Sequence, residues 1–246
     1  MRIDRLLANS GYGTRSEIRE MIRDGRVCLS GVPVKDPSVS VEENSSRITI
    51  DGTLMTVTRY LYAALYKPEG CLTALEDSRL PTLAQYIPPE LLGKGIAPVG
   101  RLDYNTSGLL LMTNNGMLSH RLTGPKWHVG KIYLVTYTGE PLTGSEIRLF
   151  AGGMTLREAG HEPESLAPAK LEPVSDTRCR LTLTEGKTHQ VKRMLAAVGR
   201  SVTALHRESI GGIILPETQN PGEFRMLEDR EIDVLFRAAS LEGTPK

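Results

Sequence analysis

The stretch from Val99 to Gly116 reads VGRLDYNTSGLLLMTNNG and constrains the chain more than any other. A polar segment carrying one carboxylate, Asp103, leads into an apolar run, Leu109 to Met112, which is closed by Thr113-Asn114-Asn115-Gly116. Consecutive apolar residues bounded by turn formers predict a buried strand that ends in a turn. The polar segment then reads as a loop carried on a packed sheet, where reactive groups tend to lie. Arg101 stands two positions before Asp103. In extended backbone the two side chains share a side, and an ion pair between them is expected to keep the carboxylate charged. On chemistry alone, a surface turn with an ordinary Arg–Asp pair is the simpler reading.

A chain of 246 residues can form one large or two smaller domains and can bury a substantial core. No apolar run approaches the roughly 20 residues that span a bilayer, and MRIDRLLANSG has no signal-peptide core, so a cytoplasmic protein with no membrane partner is expected. Cys28, Cys71 and Cys179 are few and widely spaced, which fits a reducing compartment without a disulfide framework. The net charge of +1 gives no bulk argument for a polyanionic partner. Local charge does: seven basic residues face four acids between Met1 and Lys35, and five face Glu208 alone between Gly186 and Ile210.

Ile3, Leu6 and Leu7 have helical spacing, stopped at Gly11. Thr14 and Glu17 form a capping box that opens a second helix, with Ile18, Met21 and Ile22 inward and a basic stripe of Arg15, Arg19 and Arg23 beside them. A strand from Arg26 and a turn at Ser30-Gly31 follow. A connector near Thr58 divides the chain into a module at 1–58, a larger domain at 59–241 and a frayed tail at 242–246. In the larger domain Arg59 to Lys67 is expected to start a second core with Leu61, Ala63 and Leu65, and strands are expected at Leu109–Met112, Lys131–Val135 and Arg180–Gly186, with a loop and edge strand at 158–173. Helices are expected at Met117–Leu122, from His189 to Val198, and at Glu228–Leu241. His189, Lys192 and Arg193 share the outer face of the second of these.

GRLD-x-x-T-x-GLLL-x-T resembles the catalytic motif of the RsuA-type ribosomal RNA pseudouridine synthases, and the first 50 residues are similar to the alpha-L RNA-binding module named after a small-subunit ribosomal protein. YKPEG, from Tyr66 to Gly70, is similar to the segment that opens the family's catalytic domain, with Tyr66 where Asn is usual. The resemblance implies an α+β fold: a mixed, mainly antiparallel sheet domain behind a small RNA-binding module. It also implies isomerisation of a uridine: the bond from N1 to the ribose breaks, the uracil turns, and C5 takes its place. That reaction needs no redox cofactor, ATP or metal. The chain has no P-loop, no Rossmann fingerprint and no zinc spacing, so no cofactor is expected. The reaction does need an ionised carboxylate, a cation to hold it, and a pocket for an extruded base.

By this resemblance Asp103 is the essential carboxylate. Tyr133 is the tyrosine packed on the target base, and Lys192, where many relatives carry Arg, is the cation paired with Asp103. Leu205 lines the uracil pocket, and Arg101 and Lys67 bind substrate beside it. RNA contacts are expected from His189, Gln190, Arg193 and Arg207, and in the N-terminal module from Arg15, Arg19, Arg23 and Arg26. HQVKRMLAAVG followed by LHRESIGGI is closer to the small-subunit enzymes than to large-subunit relatives, so the expected partner is small-subunit ribosomal RNA, bare or in an assembly intermediate with ribosomal proteins, met by a monomer. The alternatives are a large-subunit uridine and a non-catalytic assembly factor that binds RNA. An unrelated hydrolase using Asp103 is ranked last, because no partner carboxylate stands at a recognisable spacing.

Overall fold

The computed structural model describes residues 1–41, 47–55, 60–157 and 162–241. The expected domain boundary at Thr58 and the expected tail from 242 both lie outside the described residues. At the N-terminus, helices Ile3–Asn9 and Arg15–Arg23 pack on a four-stranded antiparallel sheet formed by Val27–Leu29, Val32–Pro33, Ile48–Ile50 and Thr53–Leu54. Both halves of the predicted capping box form: the Thr14 hydroxyl accepts from the Glu17 amide and Glu17 reaches back to Thr14. The hairpin between the first two strands turns on Ser30 and Gly31, both at positive φ, as a tight two-residue hairpin requires. Ile3, Leu6, Leu7, Ile18, Ile22, Val27 and Ile48 close the core of this module.

The second half is built on one large sheet. Its strands lie in the order Lys170–Ser175, Arg178–Leu183, Lys131–Thr138, Ser201–Ile210, Thr106–Thr113, Tyr62–Lys67 and Phe224–Met226. Neighbours run antiparallel except Ser201–Ile210 and Thr106–Thr113, which are parallel. The central strand Thr106–Thr113 is apolar from Leu109 to Met112 because both of its faces are covered. Leu110 and Met112 join a front core with Leu65, Val135, Leu181 and Leu195. Leu109 and Leu111 face a back core with Tyr62, Ile210, Leu118, Leu122, Leu235 and Phe236. Helices Gly116–Thr123 and Asp229–Ala238 supply the last four of those residues.

Two features go beyond the sequence expectation. Helix Gly144–Gly152, capped by Thr143 and Glu146, sends Phe150 into the front core. Met154–Leu156 and Glu164–Leu166 form a separate two-stranded sheet beside it. The edge strand expected before Pro173 is present as Lys170–Ser175, where the ladder shifts register after Pro173, a residue without an amide to donate.

Candidate active site

Asp103 lies on a loop fastened at both ends before it enters the central strand. Upstream, the buried Thr73 hydroxyl donates to the Leu102 carbonyl (2.6 Å) and accepts from the Leu102 amide (3.1 Å). Downstream, the Lys67 ammonium donates to the carbonyls of Pro68 (2.9 Å) and Thr106 (2.9 Å), with Tyr104 O at 3.4 Å. The Thr106 amide closes the turn onto Asp103 O at 3.1 Å. A carboxylate held this way is oriented by backbone that has little freedom to relax.

Lys192, on helix Gln190–Ala197, reaches across to Asp103 Oδ2 at 3.1 Å and to Asn105 Oδ1 at 2.7 Å. His189, one residue before that helix and at φ +50, places Nε2 3.6 Å from Asp103 Oδ1. Asp103, Lys192 and His189 line one cleft with Arg101, Thr106, Tyr133, Leu183 and Leu205. Tyr133 and Leu205 are 8% and 5% exposed, so they offer the cleft an apolar wall rather than a surface patch. The cleft therefore joins a fixed carboxylate, a facing ammonium, an aromatic ring and a leucine, a combination suited to a planar base held beside a charged group. Among the described residues, no cluster of His, Cys, Asp or Glu could hold a metal ion.

Several sequence expectations need correction. Arg101 is exposed at the rim and forms no ion pair with Asp103; Lys192 fills that place. Lys67, expected to bind substrate, is 0% exposed, and its ammonium is occupied by the loop carbonyls. Burial pulls its pKa below the ordinary lysine value, with the Arg207 charge adding to the effect. Arg207, expected to contact RNA, is 2% exposed and donates Nε to the Leu109 carbonyl at 2.7 Å. Gln190, also expected on RNA, is 3% exposed; its amide donates to Glu185 (2.7 Å) and its carbonyl accepts the Lys187 amide (2.9 Å). It shapes the loop before the site helix. Arg193 pairs with Glu164 at 2.7 Å. In the N-terminal module Arg26 forks onto Asp51, and Arg19 holds the buried Asp4 at 3.1 Å together with Arg2. Arg15 and Arg23 remain exposed with no ion-pair partner among the described residues. Asn105 was not anticipated; its place two residues after Asp103 on the same loop is the signal that could have found it.

Comparison with known proteins agrees with this geometry. Residues 61–197 match the family model described as RNA pseudouridylate synthase, and residues 1–45 match the S4 domain. An uncharacterised RNA pseudouridine synthase of Bacillus subtilis is 38% identical over 96% of this chain and 98% of its own. Ribosomal small subunit pseudouridine synthase A of Haemophilus influenzae is 39% identical over 96% of this chain and 100% of its own. A crystal structure of a pseudouridylate synthase superposes with a TM-score of 0.66 at 38% identity, covering 96% of this chain and 99% of that one. The carboxylate loop, the cleft and these relatives agree: the chain belongs to the RNA pseudouridylate synthase family, with an S4 domain at its N-terminus.

Proposed function

We propose that this enzyme isomerises a specific uridine of small-subunit ribosomal RNA, with Asp103 as its essential carboxylate. The observation that carries the reading is the pairing of Asp103 with Lys192 at 3.1 Å inside a cleft walled by Tyr133 and Leu205. The choice of RNA rests on the relatives named for the small subunit. The target uridine turns out of its stack into the cleft. Asp103 attacks the nucleoside or stabilises its transient charge, Tyr133 packs on the base, and Lys192 keeps a positive charge against the carboxylate. The hydrogen on C5 leaves as a proton and N1 gains one, so atoms and electrons balance without a cofactor. Of the stripe residues, Arg15 and Arg23 are the candidates to meet phosphates, because they are exposed and, among the described residues, only Arg19 of the three pairs with a carboxylate.

The C5 proton supplies the assay. With uridine tritiated at C5 in defined ribosomal RNA fragments, the native enzyme should release tritium from a small-subunit fragment. Asp103→Asn keeps the size and hydrogen bonding of the side chain but removes its charge, and should release none while binding RNA nearly normally. Tritium release by a clean Asp103→Asn preparation sinks the assignment of Asp103. Release from large-subunit fragments alone would move the target to the other subunit.

A further inference from the structure

We infer that the Thr106 hydroxyl donates a hydrogen bond to a carbonyl oxygen of the uracil held in the cleft. The inference rests on the proposed uridine chemistry of that cleft and assigns a role to a residue beyond the Asp103–Lys192 pair. Thr106 opens the central strand, is 1% exposed, and lines the cleft with Asp103, Tyr133 and Leu205. Its register partner is Leu205, on the parallel neighbouring strand. Among the described residues its Oγ1 is a buried polar atom with no hydrogen-bond partner.

Other buried threonines have work within the fold. Thr73 is bonded twice to Leu102, and the Thr113 hydroxyl accepts the Asn115 amide. A hydroxyl buried beside a leucine without a partner costs free energy, and valine would fill the same volume without that cost. Arg207 also carries an unpartnered buried nitrogen, but it does not line the cleft. The Thr106 hydroxyl is thus a donor in the wall of the cleft that no group among the described residues uses, whereas the Ser107 hydroxyl beside it is taken by His206.

Uracil offers two carbonyl oxygens as acceptors. When the bond from N1 to the ribose breaks, its electron pair stays with the base, and the negative charge spreads over N1 and both carbonyl oxygens. A hydrogen bond to either oxygen therefore strengthens as the bond breaks, which is the condition for raising kcat rather than only lowering KM. Thr106 keeps its proton throughout.

The test compares the full-length enzyme with Thr106→Val, Thr106→Ser and Thr106→Ala on a small-subunit RNA fragment, with Asp103→Asn as control. Thr106→Val should lose about 10- to 100-fold in kcat/KM, mostly in kcat, with RNA affinity within about twofold and a melting temperature no lower than the parent. Thr106→Ser should stay within about threefold of the parent, because the hydroxyl is kept. The same RNA carrying 2-thiouridine or 4-thiouridine at the target offers a weaker acceptor at one position. One of the two should slow the native enzyme and Thr106→Ser but add nothing in Thr106→Val or Thr106→Ala. A Thr106→Val rate equal to the parent, equal losses in the Val and Ser variants, or thio effects that are the same in all four enzymes would each overturn the inference. Turnover by Asp103→Asn would instead overturn the reading of the cleft on which it rests.

Discussion

Lys192 is the side chain that ties the site helix to the carboxylate loop. Its ammonium faces both Asp103 and Asn105, and it comes from a helix 89 residues away in the chain from the carboxylate. Lys192→Met removes the charge and keeps the stem, so turnover should fall by about 100-fold or more while RNA binding changes little. Lys192→Arg should keep part of the activity, because a guanidinium supplies the same charge with a different geometry. Single-turnover rates beside equilibrium binding would separate the two effects, and small, equal losses in both variants would make Lys192 a surface residue. Asp103, Tyr133, Lys192 and Leu205 line one cleft, and the sequence could single them out because they sit inside recognisable motifs. Lys67, Gln190 and Arg207 could not. Nothing local in YKPEG, HQVKR or LHRES reveals that these polar side chains are enclosed. Arg207 pairs with Gly108 on the neighbouring strand, where the backbones approach so closely that an added Cβ would lie 2.3 Å from Arg207 O, and its Nε is taken by the Leu109 carbonyl.

Among the elements, helix Arg15–Arg23 carries a basic stripe of which one member is taken up by the fold. Its three arginines are evenly spaced in sequence, yet Arg19 closes on Asp4, whose side chain is only 2% exposed. Burial alone would raise the Asp4 pKa, but the hydrogen bonds from Arg2 and Arg19 outweigh it and leave the carboxyl below its ordinary value. Arg19→Ala should therefore lower unfolding stability by about 1–3 kcal/mol, less than for a fully buried pair because Arg19 is half exposed and Arg2 remains. Arg15→Ala with Arg23→Ala should leave stability within about 0.5 kcal/mol. If both grip phosphates, that double variant reduces the log–log salt slope of RNA binding by roughly 1.4–1.8 units. Urea melts and salt titrations of both variants check the division; an unchanged slope would leave this face simply solvated. The helix itself was readable because its cap and period are local. Helix Gly144–Gly152 carries the same kind of cap, but only Phe150 of its residues is fully buried, so its apolar period is thin.

At the scale of the whole molecule, a chain of net charge +1 places three cations inside its large domain. Lys67, Gly108, Arg207 and Tyr133 are successive cross-strand partners, and Lys131 lies two residues before Tyr133 on the same strand. Lys131 is 6% exposed and donates to the Val129 carbonyl at 2.9 Å. Burial, with the Arg207 charge adding to it, lowers its pKa from 10.5 to about 8. Between those two values the unfolded chain binds this proton and the folded chain does not, so stability from this group rises with pH. Its contribution is fully present above 10.5 and is lost as pH falls through about 8. At neutral pH the buried charge then costs on the order of 3 kcal/mol relative to a neutral group. Cys179 acts in the opposite sense: burial raises its thiol to about 11, so its contribution falls as pH rises above the ordinary thiol value of 9.0. Comparing two chains that differ only at position 131 cancels that effect. Lys131→Met keeps the length of the side chain and removes the charge, so it should stabilise the protein at pH 7 by about 1–3 kcal/mol after the lost hydrogen bond is counted. The gain should shrink through pH 8 to 10 and disappear near pH 10.5. Urea unfolding of both proteins at half-unit steps over that range measures the difference. A gain that does not change with pH would show that Lys131 keeps its proton in the folded protein, with the ammonium fully compensated where it lies.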